Sequence, residues 1–228
     1  MNTHLQDLIE RMTHQEPPRS NSEDSVSYKA HRDAESIADL ELLQAAREAV
    51  VIEKDKKKRS SLYFVVSKVA VKVDDQDAGA FLIQQLQRES DKYVLMSLLD
   101  RISELPKRRS TDITPIIDLT KDKRWQVRHS AIQALKRTDS PIAEQTLIDI
   151  LMTSSDAYDI VYANATLNRI GTTRAIPAIE QHRNSRKRDV KMSASFAIEE
   201  IRKREAEANK TSLPTGNISI VTSSTAAT

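Results

Sequence analysis

The chain has 228 residues, of which 39% are hydrophobic, 30% charged and only 4% aromatic, and its 35 basic and 33 acidic side chains leave a net charge of +2. Three glycines and seven prolines are too few for the turns of an all-β fold, and the low aromatic content leaves packing to small aliphatic side chains. The absence of cysteine excludes a disulfide scaffold and a thiolate metal site.

In chain order, residues 1–12 carry Leu5, Leu8, Ile9 and Met12 at helical spacing. Residues 13–25 are polar, contain Pro17-Pro18 and have no period, so they read as a linker. The expected division is therefore a detached short helix and linker over 1–29, a repeat domain over 30–204 and a disordered tail over 205–228. That tail is rich in Ser and Thr and interrupted by Pro214 and Gly216, with one short apolar run at Ile218-Ser219-Ile220-Val221.

Between residues 30 and 204 the pattern is helical and recurs. Val127, Ala131, Ala134 and Leu135 form an inward stripe in 123–139. Val190, Ala194, Ala197 and Ile198 repeat its phase in 188–204, and looser copies occupy 59–73, 91–105 and 156–171. The equivalent positions Leu62, Val94, Val127, Ile160 and Val190 are 32, 33, 33 and 30 residues apart. A second helical stretch precedes each copy, at about 33–53, 76–89, 112–120, 140–153 and 173–182. The unit is helix A, turn, helix B, and about five such pairs are expected. One pair cannot bury its apolar stripe alone, but stacked pairs can. Ser140 and Thr172 are candidate N-caps, and Gly171 is a candidate helix stop. Pro115 and Pro177, a little way into their A helices, are expected to kink them.

The segment Trp125-Gln126-Val127-Arg128-His129-Ser130-Ala131-Ile132-Gln133-Ala134-Leu135 resembles the second helix of a HEAT repeat, and Asp189-Val190-Lys191 with Ala194, Ala197 and Ile198 resembles it again. The resemblance covers about residues 30–204. It implies an all-α, armadillo-like superhelix whose B helices line the concave side and which usually binds proteins, less often nucleic acid. It implies no chemistry of its own.

Catalytic motifs are lacking. His4, His14, His31, His129 and His182 show no zinc spacing, and Gly79, Gly171 and Gly216 cannot build a phosphate loop. No cofactor, metal site or catalytic residue is expected. No run approaches the ~18 apolar residues of a membrane span, and the first residues lack a secretory apolar core. A cytoplasmic location without membrane contact is expected.

Charge is more informative locally. Basic runs occur at 54–59, 107–109, 121–124 and 183–188, and three of the four fall at A-to-B turns on one edge of the solenoid. The expected partner-binding or polyanion-binding set is Lys57, Lys58, Arg59, Lys123, Arg124, Arg128, Arg186, Lys187 and Arg188, with Tyr158 and Tyr162 one helical turn apart. The first reading is a non-catalytic scaffold for a protein partner. The alternative is a nucleic-acid-binding solenoid, against which no aromatic residues interrupt the basic runs as stacking platforms would. A third reading is a HEAT-like alkyl-DNA glycosylase, resembled by Trp125 and Arg128, with Asp118 or Asp122 as the carboxylate.

Overall fold

The computed structural model describes residues 2–17 and 21–211. Among the described residues twelve α-helices follow in order: α1 (Thr3–Thr13), α2 (Val26–Ser36), α3 (Leu40–Ile52), α4 (Lys56–Lys72), α5 (Ala78–Gln85), α6 (Lys92–Glu104), α7 (Thr114–Leu119), α8 (Trp125–Ala134), α9 (Pro141–Thr153), α10 (Ala157–Ile170), α11 (Ile176–Glu180) and α12 (Arg188–Thr211). No strand occurs among them, only an isolated bridge between Lys107 and Thr138.

Even-numbered helices form one continuous layer, α2 on α4, α4 on α6, α6 on α8, α8 on α10 and α10 on α12. Odd-numbered helices pack behind them and touch one another more sparsely. The even layer is the B layer, and it is the more closely packed of the two. Its stripes are fully buried: Leu98, Leu99 and Ile102 on α6, Val127, Ala131 and Ala134 on α8, Ala194, Ala197 and Ile201 on α12. Alanine at these positions lets neighbouring backbones approach closely, while Leu and Ile fill the space between.

Several expectations need correction. Among the described residues the solenoid has six pairs, one more than the five or so expected. Residues 33–53 are two helices, because α2 is the B helix of an additional pair whose A helix is α1. The first helix is not detached: Leu5, Leu8, Ile9 and Met12 are buried against α2, α3 and α4. The boundary expected at residue 30 falls inside α2, and that expected at 205 falls inside α12. The Ile218–Val221 run lies outside the described residues. B helix α4 starts at Lys56, one turn earlier than the apolar period suggests, because Asp55 accepts the Lys57 and Lys58 amides as N-cap.

Pro115 and Pro177 do not kink anything. Each stands in the first two positions of its helix, where its missing N–H costs no hydrogen bond. Gly171 ends α10 with a negative φ of -67°, so no left-handed turn requires it. It is needed for space: a Cβ there would lie 2.7 Å from the Leu167 carbonyl oxygen.

Candidate functional site

The A-to-B turns place the N-termini of all B helices on one edge, each presenting its first-turn side chains there. Asp55, Asp91 and Asp156 cap α4, α6 and α10 by accepting backbone amides. One or two residues beyond the cap stand Tyr93 on α6, Trp125 on α8 and Tyr158 on α10. These three are 69%, 56% and 59% exposed. Trp125, at the start of its helix, is thus a surface residue.

Two of these rings share a buried neighbour. His129, buried one turn beyond Trp125, lies 5.4 Å from the Trp125 ring centroid, 6.2 Å from that of Tyr158 and 4.8 Å from that of Tyr162. Tyr162 is half-buried and belongs to this inner packing, whereas Tyr158 faces outward. Beside Tyr158 a cleft of about 310 Å³ is closed on its far side by Lys187 and Arg188 at the start of α12.

The basic set divides in two. Arg59 Nε donates to Glu89 Oε1 at 2.7 Å, and the same oxygen accepts the Tyr63 hydroxyl at 2.7 Å. Arg124 is tied to Asp122 and to the Ser90 carbonyl. Arg128 Nε meets both Asp159 oxygens at 2.8 and 2.9 Å, and its terminal nitrogen meets Asp156 at 2.8 Å. These three guanidiniums join successive helix pairs and are not offered to a ligand. Lys57, Lys123, Arg186, Lys187 and Arg188 are exposed with no ion pair to any described residue, and Lys58 is half-buried. The edge is therefore basic, with Tyr93, Trp125 and Tyr158 standing between its charged turns. Sequence order hid part of this arrangement: Trp125 directly follows Lys123 and Arg124, but Tyr158 meets Lys187 and Arg188 from about one repeat away.

His129, Asp156 and Asp159 bring three ligand-type atoms within 4.8 Å of one another. The group resembles a metal site but is already occupied by charge. Arg128 spans both carboxylates, Ser154 Oγ donates to Asp159 Oδ2 at 2.9 Å, and Asp156 Oδ1 caps the Tyr158 amide. A divalent cation there would sit against the guanidinium. Burial pushes the His129 imidazole below its ordinary value, against the opposing pull of Asp159 and Asp156. On Asp156 burial pushes upward, but the Tyr158 amide and the His129 and Arg128 charges hold it below the usual carboxylate range. Asp122, considered above as a glycosylase carboxylate, is bound by Arg124 through two nitrogens, and Asp118 is exposed on an A helix.

The stacked antiparallel pairs define the class: an all-α solenoid. The sequence profile of HEAT repeats matches residues 79–165 and 113–199, which together span more than half of the chain. The chain belongs to the HEAT-repeat family. Solved structures give the same fold. A designed armadillo repeat protein is 16% identical with a TM-score of 0.51, over 86% of this chain and 99% of its own. An engineered protein from a structural genomics consortium is 18% identical with a TM-score of 0.53, over 89% and 98%. No curated protein matches the chain in sequence. No described helix is long and apolar enough to cross a membrane.

Proposed function

We propose that the protein is a non-catalytic, cytoplasmic adaptor that binds an extended, acidic segment of a protein partner along its A-to-B edge. The observation that carries this reading is the row Tyr93, Trp125 and Tyr158, exposed at the first turns of three successive B helices. Isolated exposed apolar residues such as Ile52 and Ile142 need no explanation. An aromatic at nearly the same position on adjacent repeats does, because Trp and Tyr dominate interface energetics and lose little entropy when already fixed. Lys57, Lys123, Lys187 and Arg188 supply charge complementary to acidic residues, and the cleft between Tyr158 and Arg188 has room for one inserted side chain.

Single-stranded nucleic acid is the second reading, supported by the same row, since bases stack on exposed rings beside basic groups. A photocrosslinking amino acid at Tyr93 or Tyr158 separates the two. The adaptor reading expects one common protein adduct from both positions and none from Ile142 on the opposite layer. Adducts to nucleic acid would support the second reading, and no adduct at either position would refute both.

A further inference from the structure

The opposite edge, formed by the B-to-A turns, carries a feature of which the basic run at 107–109 supplies only one residue. A cleft of about 580 Å³ opens between the turns after α6, α8 and α10. Arg109, Arg137, Arg169 and Arg174 all line it, each from an exposed position. The only carboxylates in its wall are those of Asp139 and Glu144. Four guanidiniums against two carboxylates leave two positive charges.

Arginine at a helix C-terminus usually serves the last carbonyls of that helix. Here other side chains do so. The buried Lys107 ammonium donates to the Ile102 and Leu105 carbonyls at the end of α6. Arg204 donates to the Asn168 and Gly171 carbonyls at the end of α10. Arg109, Arg137 and Arg169 make no ion pair or side-chain hydrogen bond to any described residue. Arg174 is spent only in part, on Gln145 at 3.0 Å and Glu144 at 3.6 Å.

The backbone adds a second observation. Arg137 adopts a positive φ of 55°, uncommon for a residue other than glycine, and it is pinned there by the Lys107 amide donating to its carbonyl at 2.8 Å. Non-glycine strain of this kind clusters where a side chain must be held in place. Crowding of like charge is also evident. Burial, and then Arg137, push the Lys107 ammonium down to about 7, and burial and Arg169 lower that of Lys136.

We propose that this cleft binds a phosphate monoester dianion, carried either by a phosphorylated side chain or by a small phosphorylated metabolite. The planar arginine forks match phosphate oxygens in pairs. A dianion cancels the two unbalanced charges. The cleft exceeds a bare phosphate in size, so the ligand has a body beyond it. It has no aromatic wall on which a nucleobase would stack.

Calorimetric titration of the full chain at fixed ionic strength tests this. The ligands are a phosphoserine peptide, glucose 6-phosphate, the unphosphorylated peptide and chloride. Saturable binding of a phosphorylated ligand alone is expected, weakening as pH falls through about 6, where the monoester loses its second charge. Tighter binding of the peptide points to a modified partner, and tighter binding of the sugar phosphate points to a metabolite. Arg137→Gly removes the guanidinium yet suits the left-handed backbone, so it should weaken binding at least tenfold without lowering the melting temperature. Arg169→Gln should weaken binding similarly, and Lys57→Gln on the other edge should not. Binding no stronger than that of chloride, or binding by Arg137→Gly and Arg169→Gln as tight as that of the parent chain, would overturn the proposal.

Discussion

Arg128 reaches from the first turn of α8 to Asp159 of α10, 31 residues further on in the next helix pair, with Nε 2.8 and 2.9 Å from the two carboxylate oxygens. Arg59 stands in the same relation to Glu89, 30 residues ahead. Both arginines also donate to a carbonyl of their own preceding turn, Asp122 for Arg128 and Lys54 for Arg59. The arginine of the helix-B pattern is thus a rivet between repeats. This explains why a basic edge in the sequence is only partly basic at the surface.

Removing one side of the rivet leaves the other charge stranded, because the Arg128 and Asp159 side chains are only 18% and 8% exposed. Arg128→Ala should destabilise the fold by about 3–5 kcal/mol in urea unfolding. The double substitution Arg128→Met with Asp159→Leu should recover most of that loss. A cost for the double variant equal to that of the single one would show that the pair acts otherwise.

Glu89 makes stability sensitive to acid. Burial pushes its carboxyl up, but the Arg59 and Tyr63 hydrogen bonds hold it below its ordinary 4.5. A carboxylate with a lowered folded value contributes fully above its unfolded value, and that contribution is lost as pH falls through the folded one. Glu89→Gln should therefore cost about 2 kcal/mol at pH 7. Its deficit against the parent chain should shrink as pH drops below about 4.5, and a pH-independent deficit would contradict this.

Lys107 shifts stability in the same direction with pH, but because its charged form is disfavoured rather than held. Its ammonium is buried without a carboxylate partner, and burial with nearby Arg137 brings it from 10.5 to about 7. Between these values the unfolded chain binds the proton more tightly, so stability should rise with pH from about 7 toward 10. Denaturant midpoints across that range measure the slope. Lys107→Met should flatten it, while at pH 7 leaving two carbonyls unpaired at a cost of about 1–3 kcal/mol each.

Gly79 gives a test of backbone approach. A Cβ at this position of α5 would lie 2.5 Å from the Pro106 carbonyl oxygen. Gly→Ala in a helix normally stabilises by about 0.5–1 kcal/mol. Gly79→Ala should instead destabilise by about 1–3 kcal/mol, since the turn after α6 must shift to admit the methyl group. A raised melting temperature would contradict the close approach.

The later B helices were legible from sequence because Val94, Val127, Ile160 and Val190 mark a long-range period with branched aliphatic side chains. The first pair was not, because α2 buries only Ala30 and Ala34, and alanine gives little hydropathy contrast. Pro17-Pro18 and the polar residues around it read as a linker, although α1 before them packs on α2 after them. Basic runs pick out the A-to-B edge, but they do not distinguish Lys57, which is exposed, from Arg59, which is bonded to Glu89. The arginine cleft was not legible as a site, since only Arg109 lies in a basic run and Arg137, Arg169 and Arg174 come from other turns. A signal was present in the recurrence of Arg near the end of α8 and of α10, one repeat apart.

Trp125 is the only tryptophan in the chain and stands at the centre of the proposed partner-binding row. Its fluorescence therefore reports directly on the central claim. On titration with an extended acidic peptide bearing an apolar anchor, the account predicts a saturable blue shift that is lost in Tyr158→Ala and weakened by salt. An emission spectrum that stays unchanged at saturating peptide, or a shift equal in the parent chain and Tyr158→Ala, would contradict it.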